Sequence, residues 1–295
     1  MGAVAALPER EGLGASALRK RPNVLRRFGR NPLAVAALGY LVLVILAAVF
    51  APVITPHDPN RIVMGETLVP PSVGHVLGTD ESGRDEFSRL LHGARISLTI
   101  GVVAMLLSVT LGTALGALAG LFGGIVDALT MRLTDAMLSI PIFFFLLTVL
   151  AVFGSTVPII IIAIGLSSWM TAARVVRAEV LRTINLEYVL AARGLGAGSW
   201  RIALLHLLPS AVPSMLVAST IGVGQAILTE SALSYLGVGV QPPVASWGNM
   251  LSNAQNYFFP APLLAIWPGM MILFTVLSFN CIGDSARDTL SPYQN

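Results

Sequence analysis

Apolar residues gather into six long blocks along this chain, at positions 33–50, 96–121, 136–153, 157–173, 211–237 and 263–282, with polar, glycine- and proline-bearing stretches between them. Apolar runs of roughly 18 to 25 residues, coiled as helix, match the hydrocarbon thickness of a bilayer. They are too long and too continuously apolar for barrel strands, so six spanning helices in an all-α membrane protein are predicted. Breaks within the blocks point to bends: Ile140-Pro141 in the third and Gly222 with Gly224 in the fifth. Gly112, Gly116 and Gly120 recur every fourth residue of the second block, leaving one helix face bare for close approach, either within the chain or to another subunit.

The polar stretches are not plain connectors. Positions 78–98 combine a turn at Gly78 and Gly83 with a run that sets Phe87, Leu90, Leu91 and Ala94 on one face, which predicts a helix lying along the membrane surface before the second span. The stretch Gln241-Pro-Pro-Val-Ala-Ser-Trp-Gly-Asn-Met250 is too rich in turn residues to continue the fifth span, and Trp247 suits an interfacial anchor. Asp127 and Asp135, flanking Arg132, read as solvated charges beside a short turn.

Between the fourth and fifth blocks, positions 185–209 predict two short helices, 186–193 and 200–208, the second behind a Ser199 N-cap and closed by Pro209. Gly194, Gly196 and Gly198 break the chain between them, and Gly196 falls where a left-handed backbone is needed. A segment with this much local order is built to be gripped.

The composition, 55% hydrophobic and 11% charged, agrees with a polytopic chain, and the distribution of its charges orients it. Of the lysines and arginines, seven fall in positions 1–32, five in 174–201 (Arg174, Arg177, Arg182, Arg193, Arg201), and Arg132 and Arg287 join them under an even span count; only Arg61, Arg84, Arg89 and Arg95 fall on the other side. Basic residues stay cytoplasmic, so both termini and the glycine-broken loop are expected inside. The net charge of +3 reflects this orientation and implies no nucleic-acid partner. The apolar block behind the basic leader is long for a signal-peptide core, so no cleavage is expected.

Candidate chemistry is sparse. The one lysine, Lys20, has no phosphate-binding glycine loop around it, so no ATPase site of the chain's own is expected. His57, His75, His92 and His206 are scattered without a His-Glu-x-x-His pair, and Cys281 is alone, so no metal site, disulfide or catalytic group is expected. Glu230 is the exception, a carboxylate well inside an apolar block. About 19 residues beyond Ala211, at 1.5 Å rise, it sits roughly 28 Å across, near the outer interface. Two readings stand: hydrogen bonding to the following Leu-Gly-Val-Gly turn, or lining a translocation path.

The core Ala191-Ala192-x-x-x-Gly196, ending in Leu208-Pro209, resembles the cytoplasmic EAA loop of ABC importer permeases. The usual glutamate just before the alanines is replaced by Leu190, with Glu187 three residues earlier, and His206 stands where an aliphatic residue is usual. Both departures resemble the dipeptide, oligopeptide and nickel branch. Phe28-Gly-Arg-Asn-Pro-Leu-Ala34, Gly78-Thr-Asp-Glu-Ser-Gly-Arg-Asp-Glu-Phe-Ser-Arg89, Leu233-Ser-Tyr-Leu-Gly-Val-Gly-Val-Gln-Pro-Pro243 and Asn280-Cys-Ile-Gly-Asp-Ser-Ala-Arg-Asp-Thr-Leu-Ser-Pro292 are similar to that branch's second permease subunit, the C type.

The resemblance implies a type I importer permease fold: a cytoplasmic tail (1–32), a first transmembrane helix (33–52), an external loop (53–95), a five-helix core (96–284) holding the coupling loop 174–210, and a cytoplasmic tail (285–295). It implies half of a translocation path for dipeptides or oligopeptides, or for nickel or another small solute, in a bacterial or archaeal cytoplasmic membrane. A homologous permease subunit, two cytoplasmic ATPase subunits that use the ATP, and an extracytoplasmic solute-binding protein are the implied partners, with no cofactor on this chain. Glu187, Tyr188, Ala191, Ala192, Arg193, Gly196, Leu208 and Pro209 are the implied ATPase-coupling residues. A stand-alone secondary transporter is the competing class, with Glu230 its one midspan candidate.

Overall fold

The computed structural model describes residues 28–290. Six of the seven leading basic residues, with most of the predicted N-terminal tail and the last five residues of the C-terminal one, lie outside them. The described residues are helical, with no strand beyond an isolated bridge between Thr79 and Asp85. Five helices are long and apolar enough to cross a membrane, or six if one sharply bent pair is a single span.

Helix α1 (Pro32–Val49) starts on Asn31, whose side chain accepts the N–H groups of Leu33 and Ala34, with Pro32 at its first position. Its buried residues, Ala34, Ala37, Leu41, Val44 and Ala48, step by three and four and form one stripe. The remaining faces expose leucine and valine, as lipid contact requires. After a short turn, α2 (Ala51–Ile54), the chain enters the external loop.

The long helix α3 (Glu86–Phe122) corrects the surface-helix expectation. Positions 87–94 are its first turns, and no break separates them from the span. Leu90, Leu91 and Ala94 are buried, and Leu90 and Ala94 share a core with Trp247 and Met250 rather than facing the bilayer surface. Asp85 caps the helix by accepting the Ser88 N–H at 2.8 Å. The glycine face meets the chain itself: a Cβ on Gly112, Gly116 or Gly120 would strike Ala172, Ala173 or Val180 respectively. The partner is α7 (Trp169–Thr183), which follows α6 (Val157–Leu166) after a break at Ser167 and Ser168.

The third block is broken more sharply than a kink. Helix α4 (Gly124–Ser139) and helix α5 (Ile142–Phe153) meet at 85°. Pro141 lacks an N–H and drives Ile140 into an extended conformation, so the helix stops instead of bending. Asp127 and Asp135 keep contact with solvent, as expected, but are also paired. Arg177 holds both oxygens of Asp127, and Arg174 pairs with Asp135, so α4 is tied to α7 by charge.

Helix α10 (Leu208–Tyr235) and helix α12 (Leu263–Leu290) complete the bundle, with the short α11 (Trp247–Ala254) between them. Ser246 and Asn249 cap α11 reciprocally. Trp247 is fully buried, not an interfacial anchor; its indole N–H donates to the Leu90 carbonyl at 3.2 Å.

The external loop folds onto these elements. Asp80 binds the Arg84 side chain at 2.6 Å and stands 3.4 Å from Arg89, which is 1% exposed and also donates to the Pro59 carbonyl. His75 bridges Asp85 and Glu66 at 2.8 and 3.3 Å. The hydrogen bond to Asp85 chiefly holds its imidazole above the usual histidine range, against the opposing effect of burial.

Candidate coupling site and translocation groove

Helix α8 (Glu187–Gly194) and helix α9 (Ser199–Ile202) form the glycine-broken loop. Helix α8 ends in a Schellman arrangement: Ala197 N–H donates to the Ala192 carbonyl and Gly196 N–H to the Arg193 carbonyl, both at 3.0 Å. Gly196 has φ +85°, the left-handed conformation expected for it, and open space where a Cβ would stand. A side chain there meets strain, not collision.

The loop's second half differs from expectation in two ways. Ser199 is the first helical residue and not the cap; Gly198 holds the cap position with no side-chain bond. Nor does Pro209 end the helix. A π-helical turn over Ala203–Leu207, closed by Leu208 N–H donating to the Ala203 carbonyl, feeds directly into α10. The wider turn accommodates the proline ring and its missing N–H, so the coupling loop and fifth span are one continuous helical element.

Only one residue of α8, Val189, is buried, in a core with Val176, Val180, Ile202 and Leu207. Everything else on α8 faces outward or is half-covered: Glu187, Tyr188, Leu190, Ala191 and Arg193 are exposed and Ala192 is half-buried. Leu195 beside them is 90% exposed and Trp200 61%. Among the described residues neither Glu187 nor Arg193 forms an ion pair. Trp200 sets its edge against Phe122, ring centroids 6.0 Å apart, and Tyr188 lies 6.0 Å from His206, so the loop rests on the end of α3 and on the π turn. Leu208 is half-buried and Pro209 exposed at the root of α10. The eight residues for which the resemblance implies a coupling role thus fall on one loop, presenting an apolar surface with small residues at its centre and one charge of each sign.

Between the helices a groove of about 590 Å³ opens, and Met105, Met137, Phe145, Met170, Gln225 and Arg287 are among the residues lining it. Both helix breaks, Ile140-Pro141 and Ser167-Ser168, border it. Glu230 does not. It is fully buried, accepting from Ser97 at 3.1 Å and Ser234 at 2.7 Å, while Trp247 N–H donates to Ser97 and Val240 N–H to Ser234. The bond to the following turn therefore runs through a serine hydroxyl, and the carboxylate joins α3, α10 and the approach to α11.

Sequence reasoning did not find the groove, because its lining comes from six helices and its residues carry no common spacing. Nor did it find the pairing of Arg174 and Arg177 with α4, although arginines a helical turn apart opposite two aspartates were a signal. It also treated His57 and His75 as unrelated, and the fold places their rings 4.8 Å apart.

A bundle of long apolar helices with a groove between them and an exposed, ordered loop at one end suits a transport permease. The family of binding-protein-dependent transport system inner membrane components matches residues 112–293, and the N-terminal TM domain of oligopeptide transport permease C matches residues 23–71. The chain belongs to this family of ABC importer permeases, in its C-type dipeptide, oligopeptide and nickel branch.

Among its relatives, a glutathione transport system permease protein of Pectobacterium atrosepticum is 40% identical, over 90% of this chain and 89% of its own length. An oligopeptide transport system permease protein of Bacillus subtilis is 39% identical, over 96% and 92%. A nickel transport system permease protein of Escherichia coli is 40% identical, over 87% and 93%. In fold, the chain is similar to the MetNI methionine ABC transporter in an inward-facing conformation, with a TM-score of 0.57 at 18% identity, covering 69% of this chain and 97% of that one. The type I importer permease fold is therefore established, and the stand-alone carrier reading is set aside.

Proposed function

We propose that this chain forms half of the translocation path for dipeptides or oligopeptides and that its loop over residues 185–209 seats in a cytoplasmic ATPase subunit. The observation that carries the second part is the exposure of α8, where one side chain in eight is buried and leucines, tyrosine and alanines face outward. An ordered helix with an uncovered apolar face is stable in water only when a partner covers it. Ala191 and Ala192 allow a groove wall to approach closely, and Glu187 and Arg193 offer polar anchors at its edge.

The path would be shared with a homologous permease subunit, solute would arrive from an external binding protein, and ATP would be consumed by two partner subunits. This chain supplies no phosphate-binding loop for that step. Closure of the ATPases would move the loop, and the π turn would pass that motion into α10, whose Gly222 and Gln225 border the groove. Methionines from three helices make a lining that adapts to varied side chains, which suits a peptide carrier better than a site for one ion.

The orientation, with both termini and the loop cytoplasmic, rests on the arginine and lysine distribution. In a chain with Cys281 replaced, Ser199→Cys and Ser72→Cys should label from opposite sides of the membrane; labelling of both from outside would refute it.

Gly196→Asp tests the coupling. A left-handed residue bearing a side chain costs about 1–2 kcal/mol locally, and the carboxylate crowds the docking surface. With partner subunits and binding protein present, peptide uptake and ATPase co-purification should both fall while membrane abundance holds. Normal uptake at normal abundance would reduce the loop to a connector, and uptake of nickel in place of peptide would move the solute assignment.

A further inference from the structure

The external loop brings together three side chains whose positions, 57, 75 and 85, gave no metal-ligand spacing. Atoms of His57, His75 and Asp85 that can each donate to a metal lie within 4.8 Å of one another. Asp85 uses its two oxygens differently. Oδ2 accepts the Ser88 N–H and hydroxyl at the start of α3, while Oδ1 faces both imidazoles, 2.8 Å from His75 Nδ1 and 3.7 Å from His57 Nδ1. Two donors on one transition ion, each about 2.0–2.2 Å from it, stand roughly 3.0–3.6 Å apart. The two separations from Asp85 Oδ1 bracket that range, and all three donor atoms lie within 4.8 Å, so the side chains need only draw together around an ion to seat it.

Two further observations point to a ligand. His57 Nδ1 is buried and has no hydrogen-bond partner among the described residues, although it is aimed at a carboxylate. A ring that only packed or only paired would not leave that nitrogen bare. On His75, Glu66 stands 3.3 Å from Nε2, the carboxylate-to-imidazole contact that orients a metal-ligating histidine and directs its other nitrogen to the ion.

We propose that His57 Nδ1, His75 Nδ1 and Asp85 Oδ1 bind one divalent transition-metal ion of the kind that prefers imidazole, zinc or nickel, on the external face of the permease. Two imidazoles and one carboxylate suit these ions and leave further positions for water. The His57 side chain is 34% exposed and Asp85 fully buried, so the ion enters from the His57 side. Once bound, it ties the segment after α2 to the start of α3. The site is separate from the groove, whose lining includes none of the three.

The test uses the assembled importer carrying no polyhistidine tag, stripped with a chelator and titrated calorimetrically with zinc chloride and, separately, nickel chloride. The intact protein should bind at least one ion more per copy of this chain than the His57→Phe protein does, and His75→Gln should weaken that same site at least tenfold. His92→Gln, on a residue bonded to the Ser88 carbonyl and outside the triad, should bind as the unaltered protein does. Because His57 Nδ1 makes no hydrogen bond, His57→Phe should keep the metal-free melting temperature, and His57→Gln serves the same purpose if it does not. X-ray absorption of the zinc form should show imidazole scattering that diminishes in either variant. Equal binding by unaltered and His57-substituted proteins, or no saturable binding at all, would overturn the proposal.

Discussion

Two non-spanning regions of this permease carry comparable amounts of chain and opposite kinds of surface. The loop over residues 55–85 is tied to the start of α3 by charge: Asp80, Arg84 and Asp85, with Arg89 of α3, are buried, each with partners inside the chain. The loop over residues 185–209 anchors Val189, Ile202 and Leu207 and leaves Tyr188, Leu190, Leu195 and Trp200 outside. The first region buries these charged groups within the chain, although Met64 and Val73 stay exposed; the second leaves most of an ordered helix uncovered. Substitutions in the outer loop should therefore act on folding, and those in the inner loop on assembly.

The largest effect on folding is expected at Arg89. Arg89→Ala leaves the buried Asp80 carboxylate short of a cation and the Pro59 carbonyl without its donor. Loss of one partner of a buried pair costs about 3–5 kcal/mol. Membrane abundance and the melting temperature in detergent should both drop, with uptake falling in proportion to abundance.

Glu230 comes next. Glu230→Ala strands the hydroxyls of Ser97 and Ser234 in a dry site, at about 1–3 kcal/mol for a buried group left unpaired. Glu230→Gln keeps hydrogen-bonding capacity and should lose less stability. A Gln variant with normal abundance and no uptake would return this residue to the translocation path and erase the contrast drawn here.

In the loop over residues 185–209, Leu195→Ala should leave the stability of the isolated chain within about 0.5 kcal/mol of the original, since the side chain touches little of its own protein. Retention of ATPase subunits through purification should fall several-fold. The smallest change is expected for Ser72→Ala, which removes an exposed hydroxyl accepting the His75 N–H at 3.2 Å. About 0.5–1 kcal/mol at most should be lost, with uptake unchanged.

The contrast also explains what could be read from the sequence. Apolar blocks declare spanning helices because lipid imposes length and composition along the chain, and Gly196 declared its turn because left-handed backbone selects glycine locally. Motif resemblance singled out the residues proposed here for coupling. Features made by tertiary juxtaposition left no such trace. Leu90 and Leu91 gave the same amphipathic pattern whether a bilayer or Trp247 covered them, and only packing chose the latter. Pro209 read as a helix end because its effect depends on whether the preceding turn is α or π. Pro141 read as a kink, and the 85° break is that signal taken further. The ion pairs of Asp127 and Asp135 were not legible because their partners lie about forty to fifty residues away, on α7.

The account turns on the loop over residues 185–209, and not the loop over residues 55–85, being the one that an ATPase subunit covers. The most direct measurement places Ala191→Cys or Ser72→Cys in a chain with Cys281 replaced and asks which cysteine cross-links to the ATPase in the assembled importer. The account predicts an ATPase adduct at position 191, protection of that cysteine from a soluble thiol reagent, and neither at position 72. A freely labelled cysteine at 191 with no adduct, in an importer that still transports, would contradict it.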